Sequence, residues 1–194
     1  KKGHFEYLAR DVVYTAPPQS LLNHLEGKLE LNKRYLNRIK KLPEPSGAVV
    51  FYSALNRNDI KKISASHYQF VNKELGSLFL SLSQEGDGRA PKGQITLIAS
   101  IFTNTDEWFN LTKVKYIEKK KDFFNKVSKA IETKLEISPD KWIHREMATP
   151  LGFEKWTGRP KGIVGGLGQN PELFGIFGLS SRTPFKGLWL CGDS

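Results

Sequence analysis

The residues with the clearest chemistry are Gly192, Asp193 and Ser194, which follow a short apolar run over residues 188–191. An apolar run between two glycines is typical of a short parallel strand buried on both faces, and such a strand brings the chain to a ligand at its C-terminal end. There Gly192 would let the backbone approach the ligand, and Asp193 would accept hydrogen bonds from ribose-type hydroxyls. Ser194 would cap a helix whose free N–H groups hold a phosphate. Because that helix does not follow, we expect this chain to be a piece of a larger protein.

The single cysteine, Cys191, lies in the predicted strand. We expect a plain buried thiol, since no basic partner lies close to it in sequence. One cysteine cannot form an internal disulfide, which favours a reducing cytoplasm.

Other candidate chemistry is weak. The Gly-Asp-Gly at residues 86–88 lacks the further acidic positions of a calcium loop. The four histidines are scattered, with no zinc spacing and no Ser-His-Asp arrangement. The sequence therefore predicts no metal site and identifies no catalytic residue.

The net charge of +10 favours either a phosphate-bearing or anionic membrane partner, or simply solvated helix faces. Basic residues concentrate at 33–41 and 113–134, both within predicted helices. The charge leaves open a basic module for membrane or nucleic acid, although no nucleic-acid motif is present and aromatic residues do not interleave with the basic runs. No apolar run approaches the roughly 18 to 20 residues needed to span a bilayer.

The elements that would position these residues follow from periodicity. The apolar run 48–55 predicts a central strand, and the alternating segments 78–82 and 95–102 predict an antiparallel hairpin around a glycine-rich connection. Residues 113–135 predict a long amphipathic helix, whose apolar stripe would pack on the sheet or, with its basic faces, lie on a membrane surface. The predicted stripe contains Val114, Ile117, Phe124, Val127, Ile131 and Leu135.

Shorter elements complete an α+β chain, a mixed and largely antiparallel sheet flanked by helices. They are strands at 11–16, 67–71 and 142–147, and helices at 19–25, from Leu31 to Leu42, and at 150–156. After them the glycine-dense segment 158–168, which includes Gly165 and Gly166, matches no phosphate-binding fingerprint. It is either a surface loop or a backbone pressed against something flat.

Two stretches resemble the FAD-dependent phytoene desaturase and carotenoid isomerase family. They are residues 149–167, with Thr-Gly-Arg-Pro-Lys-Gly and Val-Gly-Gly-Leu, and residues 182–194, with Arg-Thr-Pro-Phe-Lys-Gly-Leu-Trp-Leu-Cys-Gly-Asp-Ser. The hairpin connection 87–93 is similar to the branch that includes cyanobacterial carotenoid desaturases. Residues 12–17 are similar to the strand that re-enters the FAD domain in the wider flavin amine oxidase group.

This resemblance implies two interleaved domains, of which the chain would hold the C-terminal part. Residues 1–20 would re-enter the FAD domain, 21–150 would form the substrate domain, and 151–194 would return to the FAD domain. Gly192, Asp193 and Ser194 would contact the ribityl and pyrophosphate region of FAD, while the glycines Gly165 and Gly166 would run near the flavin ring and a substrate tunnel.

The implied activity is desaturation of a carotenoid by hydride transfer to FAD, with cis-trans isomerisation as the alternative. Val49, Phe51, Phe79 and Ile98 would line one wall of the tunnel, and a basic face would hold the protein at the membrane periphery. These 194 residues alone are expected neither to bind FAD stably nor to catalyse the reaction.

Overall fold

The structure is a computed structural model that describes residues 5–25, 33–168, 170–173 and 175–192. The chain divides into two compact units, residues 46–163 and residues 1–45 with 164–194. The predicted α+β class is confirmed, since helices flank a largely antiparallel sheet.

Within the described residues there are seven strands, four α-helices and several short 3-10 helices. The strands are β1 (Val12–Tyr14), β2 (Gly47–Asn56), β3 (His67–Asn72), β4 (Gly76–Leu82), β5 (Gln94–Thr103), β6 (Trp142–Ala148) and β7 (Leu188–Leu190). The α-helices are α1 (Lys33–Lys40), α2 (Asp106–Phe109), α3 (Lys113–Leu135) and α4 (Pro150–Thr157). The 3-10 helices are Pro18–Asn23, Arg57–Asp59, Pro139–Lys141, Pro160–Gly162, Pro171–Leu173 and Gly175–Phe177.

The unit of residues 46–163 is built on a five-stranded antiparallel sheet in the order β3-β4-β5-β2-β6. The predicted central strand β2 pairs with β5 over its full length, from Gly47 opposite Thr103 to Asn56 opposite Gln94. The predicted hairpin is also confirmed, because β4 and β5 are antiparallel neighbours on either side of the glycine-rich connection.

Helix α3 covers one face of this sheet. It begins at Thr112, whose hydroxyl accepts a hydrogen bond from the Lys115 backbone N–H, and ends where Glu136 adopts a left-handed φ of 54°. The buried side chains between sheet and helix form one apolar cluster; its largest fully buried members are Trp108, Phe51, Leu55, Leu78, Leu80, Leu82, Ile95, Leu97, Ile131 and Leu135.

The first half of the predicted stripe on α3 is wrong. Val127, Ile131 and Leu135 are buried, but Val114 and Ile117 are 66% and 54% exposed. The reason is an aromatic cluster around the buried Trp108, whose ring centroid lies 6.2 Å from that of Tyr116 and 5.4 Å from that of Phe123. These aromatic residues turn a neighbouring face of the helix toward the core.

The unit of residues 1–45 and 164–194 contains the parallel pair β1 and β7, with Val12 opposite Leu188 and Tyr14 opposite Leu190. Parallel pairing of β7 agrees with the prediction, but burial on both faces does not. Leu190 is buried, Leu188 and Trp189 are half-buried, and Cys191 is an exposed thiol. The physical reason is that β1 and β7 form only a two-stranded sheet among the described residues, whereas burial on both faces requires layers packed on both sides of a sheet.

Helix α1 lies in the same unit and buries Ile39, which packs with Leu42 and Leu167. The earlier part of the predicted helix, including Leu31, lies outside the described residues. The predicted helix at 19–25 is instead a 3-10 helix over Pro18–Asn23, with proline at its first position.

Candidate functional site

The C-terminal end of β7 is shaped for close backbone contact. Hydrogen bonding with β1 continues to Cys191, whose N–H donates to the Tyr14 carbonyl at 3.0 Å. Gly192 then adopts a φ of +127°, which L side chains rarely adopt, and a Cβ there would lie 3.4 Å from the Thr15 carbonyl oxygen. Asp193 and Ser194 lie outside the described residues, so their predicted ligand contacts stay predictions.

The glycines of the glycine-dense segment lie in two different environments, one exposed and one packed against the chain. Gly165 is exposed with a φ of +79°, and a side chain there would meet no atom within 4 Å of its Cβ, whereas Gly166 is buried. Gly168 donates its N–H to the Pro43 carbonyl, and a Cβ there would lie 2.9 Å from the Glu44 carbonyl oxygen. The segment is therefore pressed against its own chain at Gly168, while the open space at Gly165 is compatible with a flat ligand. The predicted ligand contacts of Gly165 and Gly166 are not tested by this geometry.

A second set of polar contacts surrounds the β1–β7 pair. The Asp11 carboxylate accepts hydrogen bonds from Arg10 at 2.8 Å and from the Trp189 indole at 3.1 Å, which together hold the pKa of Asp11 below its ordinary value. The Tyr14 phenol lies 2.9 Å from His24 Nδ1, and burial raises the pKa of Tyr14. Sequence reasoning missed the Tyr14–His24 pair, since the two residues are ten positions apart and no motif connects them.

The face of the five-stranded sheet opposite α3 is the second candidate site; it is open at β4 and β5 but buried at Ala48 and Val50 of β2. Phe79 and Ile98 lie on it and remain 42% and 39% exposed, and the ring of His67 stacks on Phe79 with centroids 5.8 Å apart. The predicted wall is thus wrong in part. Val49 and Phe51 occupy the alternate positions of β2, which face α3, and both are fully buried.

Strand register places apolar and hydroxyl groups in rows across this open face. In one row Ser81 lies opposite Ile98, Ile98 opposite Tyr52, and Tyr52 opposite Glu146. In the adjacent row Phe79 lies opposite Ser100. The arrangement can hold an extended apolar ligand across several strands, with hydroxyl groups at intervals to orient it.

The row that contains Tyr52 ends at a cavity of about 530 Å³. Burial first, and the Glu146 carboxylate second, raise the pKa of Tyr52, so its phenol is protonated at neutral pH and can donate a hydrogen bond. On the same cavity the Tyr116 hydroxyl lies 2.9 Å from that of Thr149. These phenols give the cavity polar groups that can orient a ligand.

The Thr-Gly-Arg-Pro-Lys-Gly segment forms a tight turn directly after α4. Gly158, Lys161 and Gly162 all have positive φ, at 70°, 54° and 59°. Lys161 is held there by its backbone N–H, which donates to the Glu154 carboxylate at 2.8 Å, and by an ion pair with Asp106 at 3.0 Å. A Cβ on Gly162 would overlap the Pro150 carbonyl oxygen, so only glycine fits this turn without displacement.

The hairpin loop at residues 83–93 uses the Asp87 carboxylate for its own hydrogen bonds. Asp87 accepts hydrogen bonds from the backbone N–H groups of Gln84 and Arg89, at 2.6 and 2.9 Å, and from the Arg89 guanidinium at 2.7 Å. Over the described ranges, no group of three His, Cys, Asp or Glu side chains is placed to hold a metal ion. The same part of the chain contains no helix that is both long and apolar enough to cross a bilayer.

Comparison with known proteins identifies a similar fold. No protein-family model matches the sequence, and no curated protein is significantly similar to it. Among solved structures, the crystal structure of an oxidoreductase from Methanosarcina mazei matches with a TM-score of 0.54 and 14% sequence identity. The match covers 96% of this chain and 38% of that chain. At this identity the likeness concerns the fold.

Proposed function

We propose that this chain is the C-terminal part of an FAD-dependent oxidoreductase that acts on a carotenoid, by preference as a desaturase. The observation that carries the proposal is the open sheet face with Phe79 and Ile98, within a fold similar to that of an oxidoreductase. The two sequence stretches that resemble carotenoid desaturases and isomerases support the same substrate class.

The open face suits a polyene because Phe79 and Ile98 lie on neighbouring strands in adjacent rows, each opposite a serine hydroxyl. A carotenoid is a long, rigid and apolar rod, so its binding is driven by burial of apolar surface. Phe79 and Ile98 would contact this rod through their exposed apolar surface.

The C-terminal end of β7 and Gly165 suit a flavin site in which the protein backbone lies close to the cofactor. Gly192 and Gly165 both have positive φ, and a side chain at Gly165 would fill space that is now open. Bound FAD would supply the hydride acceptor. The residues of this chain would bind and orient the two reactants, and Asp193 and Ser194 would complete the contact with the cofactor.

The first experiment tests the cofactor. The full-length protein that contains this chain should purify with a flavin absorbance spectrum, whereas residues 1–194 with added FAD should retain none after gel filtration. A folded, colourless full-length protein that also fails to take up added FAD would contradict the proposal. Gly192→Ala should reduce flavin retention more than Gly175→Ala, since both glycines have positive φ but only a Cβ at Gly192 would contact another residue, Thr15.

The second experiment tests the open face. Phe79→Ser with Ile98→Ser should lower kcat/KM for a carotenoid about tenfold or more, since each side chain contributes burial energy on the order of 1.5 kcal/mol. The matched control is Val114→Ser with Ile117→Ser, which removes two exposed apolar side chains from α3. Equal effects of the two double variants would count against this face as the binding surface. Product analysis then separates desaturation, which extends conjugation, from cis-trans isomerisation, which does not.

A further inference from the structure

A cavity of about 460 Å³ lies between α3 and the β3–β4 hairpin, away from the open sheet face. Four lysines line it: Lys62, Lys126, Lys129 and Lys134. The carboxylate in its lining is Glu74, so the cavity wall has a clear excess of positive charge.

Helical spacing explains why the lysines surround a hollow. Lys126, Ala130 and Lys134 are four residues apart on α3 and therefore share one face. The small Ala130 side chain at the centre leaves room that a longer side chain would occupy. The half-buried Phe70 of β3 supplies an aromatic floor, with the Lys134 ammonium 5.6 Å from its ring centroid.

The four ammonium groups are not equally engaged. Lys126 pairs with Asp122 at 2.9 Å and with Glu74 at 3.5 Å, and Lys62 lies 3.8 Å from Glu136. Across the described residues, Lys129 and Lys134 have no carboxylate within ion-pair distance. Two ammonium groups are thus available to an anionic ligand.

We propose that this cavity binds a phosphate group, with Lys129 and Lys134 as its main ligands and Lys126 at the rim. An aromatic floor below the lysines favours a phosphate ester whose organic part packs on Phe70. The site is independent of the proposed carotenoid-binding surface, because its residues belong to the unit of residues 46–163 and none of them lies on the open sheet face.

The experiment measures the binding of two probes to the full 194-residue chain. Pyrophosphate binding is followed by isothermal titration calorimetry, and sedimentation uses phosphatidylcholine vesicles with and without phosphatidic acid. The pocket variant is Lys129→Gln with Lys134→Gln, and the matched control is Lys113→Gln with Lys115→Gln, which removes the same charge from the exposed start of α3. A third variant, Ala130→Leu, fills the hollow without changing charge.

The pocket variant and Ala130→Leu should each weaken binding about tenfold, since charge-assisted hydrogen bonds are the strong ones and tenfold corresponds to about 1.4 kcal/mol. The control should bind like the wild type. This pattern with pyrophosphate supports a soluble phosphate ligand, and the same pattern with phosphatidic acid vesicles alone supports a lipid headgroup. Equal weakening by both double variants, or no wild-type binding to either probe, would overturn the proposal.

Discussion

The indole N–H of Trp142 donates a 2.7 Å hydrogen bond to the Glu132 carboxylate, joining the edge strand β6 to helix α3. Arg145 of the same strand lies 3.7 Å from that carboxylate, and its guanidinium lies 5.4 Å from the Phe124 ring centroid. Strand β6 has one strand neighbour, β2, among the described residues. The contacts with α3 therefore help to hold β6 in place.

Trp142→Phe should lower the free energy of unfolding by about 1.5 to 3 kcal/mol, because a hydrogen bond to a charged group is lost. Urea denaturation followed by circular dichroism measures the change. The same substitution at Trp156, which is 83% exposed, should have little effect. Equal stability of the two variants would show that the Trp142–Glu132 contact does not fix β6.

The two halves of α3 should respond differently to the same truncation. Ile131→Ala should cost about 2 to 5 kcal/mol, because Ile131 is fully buried and its loss leaves a cavity. Ile117→Ala should change stability by no more than about 0.5 kcal/mol, since Ile117 is exposed. Thermal or urea unfolding of both variants measures these changes in the free energy of unfolding. A large loss of stability in Ile117→Ala would contradict the described packing.

The Asp87 loop should make stability depend on acid pH. Hydrogen bonds from the Arg89 backbone N–H and guanidinium lower the pKa of Asp87 to about 2, against about 3.9 in an unfolded chain. Because the folded pKa is the lower one, the stabilisation is present above about pH 3.9 and is lost as the pH falls toward 2.

The stability difference between wild type and Asp87→Asn should therefore shrink over that interval. Carbon NMR of the Asp87 carboxyl should give a midpoint near 2, and Arg89→Gln should raise it. An Asp87 midpoint unchanged by Arg89→Gln would contradict this account.

Gly162→Ala should be the most damaging glycine substitution in the unit of residues 46–163. Its Cβ would overlap the Pro150 carbonyl, and its φ of +59° already disfavours an L residue, so the expected cost exceeds about 3 kcal/mol. Gly158→Ala, with a φ of +70° but no atom within 4 Å, should cost about 1 to 2 kcal/mol. Similar losses in the free energy of unfolding for the two variants would show that the backbone of the turn shifts to accommodate the Cβ at residue 162.

The strands and the long helix were predictable from sequence because their signals are local. Alternation placed Leu80 and Leu82 on the buried face of β4, and α3 has the bounds that its periodicity predicted. The exposure of Ile117 was not predictable, since it depends on Trp108, which reaches the core from a separate short helix. The strand register was needed to decide which of the predicted wall residues share a face. Phe51 and Phe79 lie on opposite sides of the sheet.

The candidate sites were predictable to a smaller extent. The sequence predicted that Gly192 lets the backbone approach a ligand; the structure gives Gly192 a φ of +127°, and the ligand contact stays a prediction. The sequence did not identify the contacts of Tyr14 with His24 or of Tyr116 with Thr149, because these pairs form only when distant segments fold together. The cavity around Ala130 likewise depends on β3 lying beside α3.

An isolated β-bridge pairs Gly47 with Ile163, close to the two ends of the unit of residues 46–163. The unit thus starts and finishes at one place, as inserted domains commonly do. A segment of this kind can be exchanged between relatives as a cassette without opening a long gap in the host chain. Replacing the whole segment would therefore leave two chain ends that already lie side by side, a gap that a segment of different length can close.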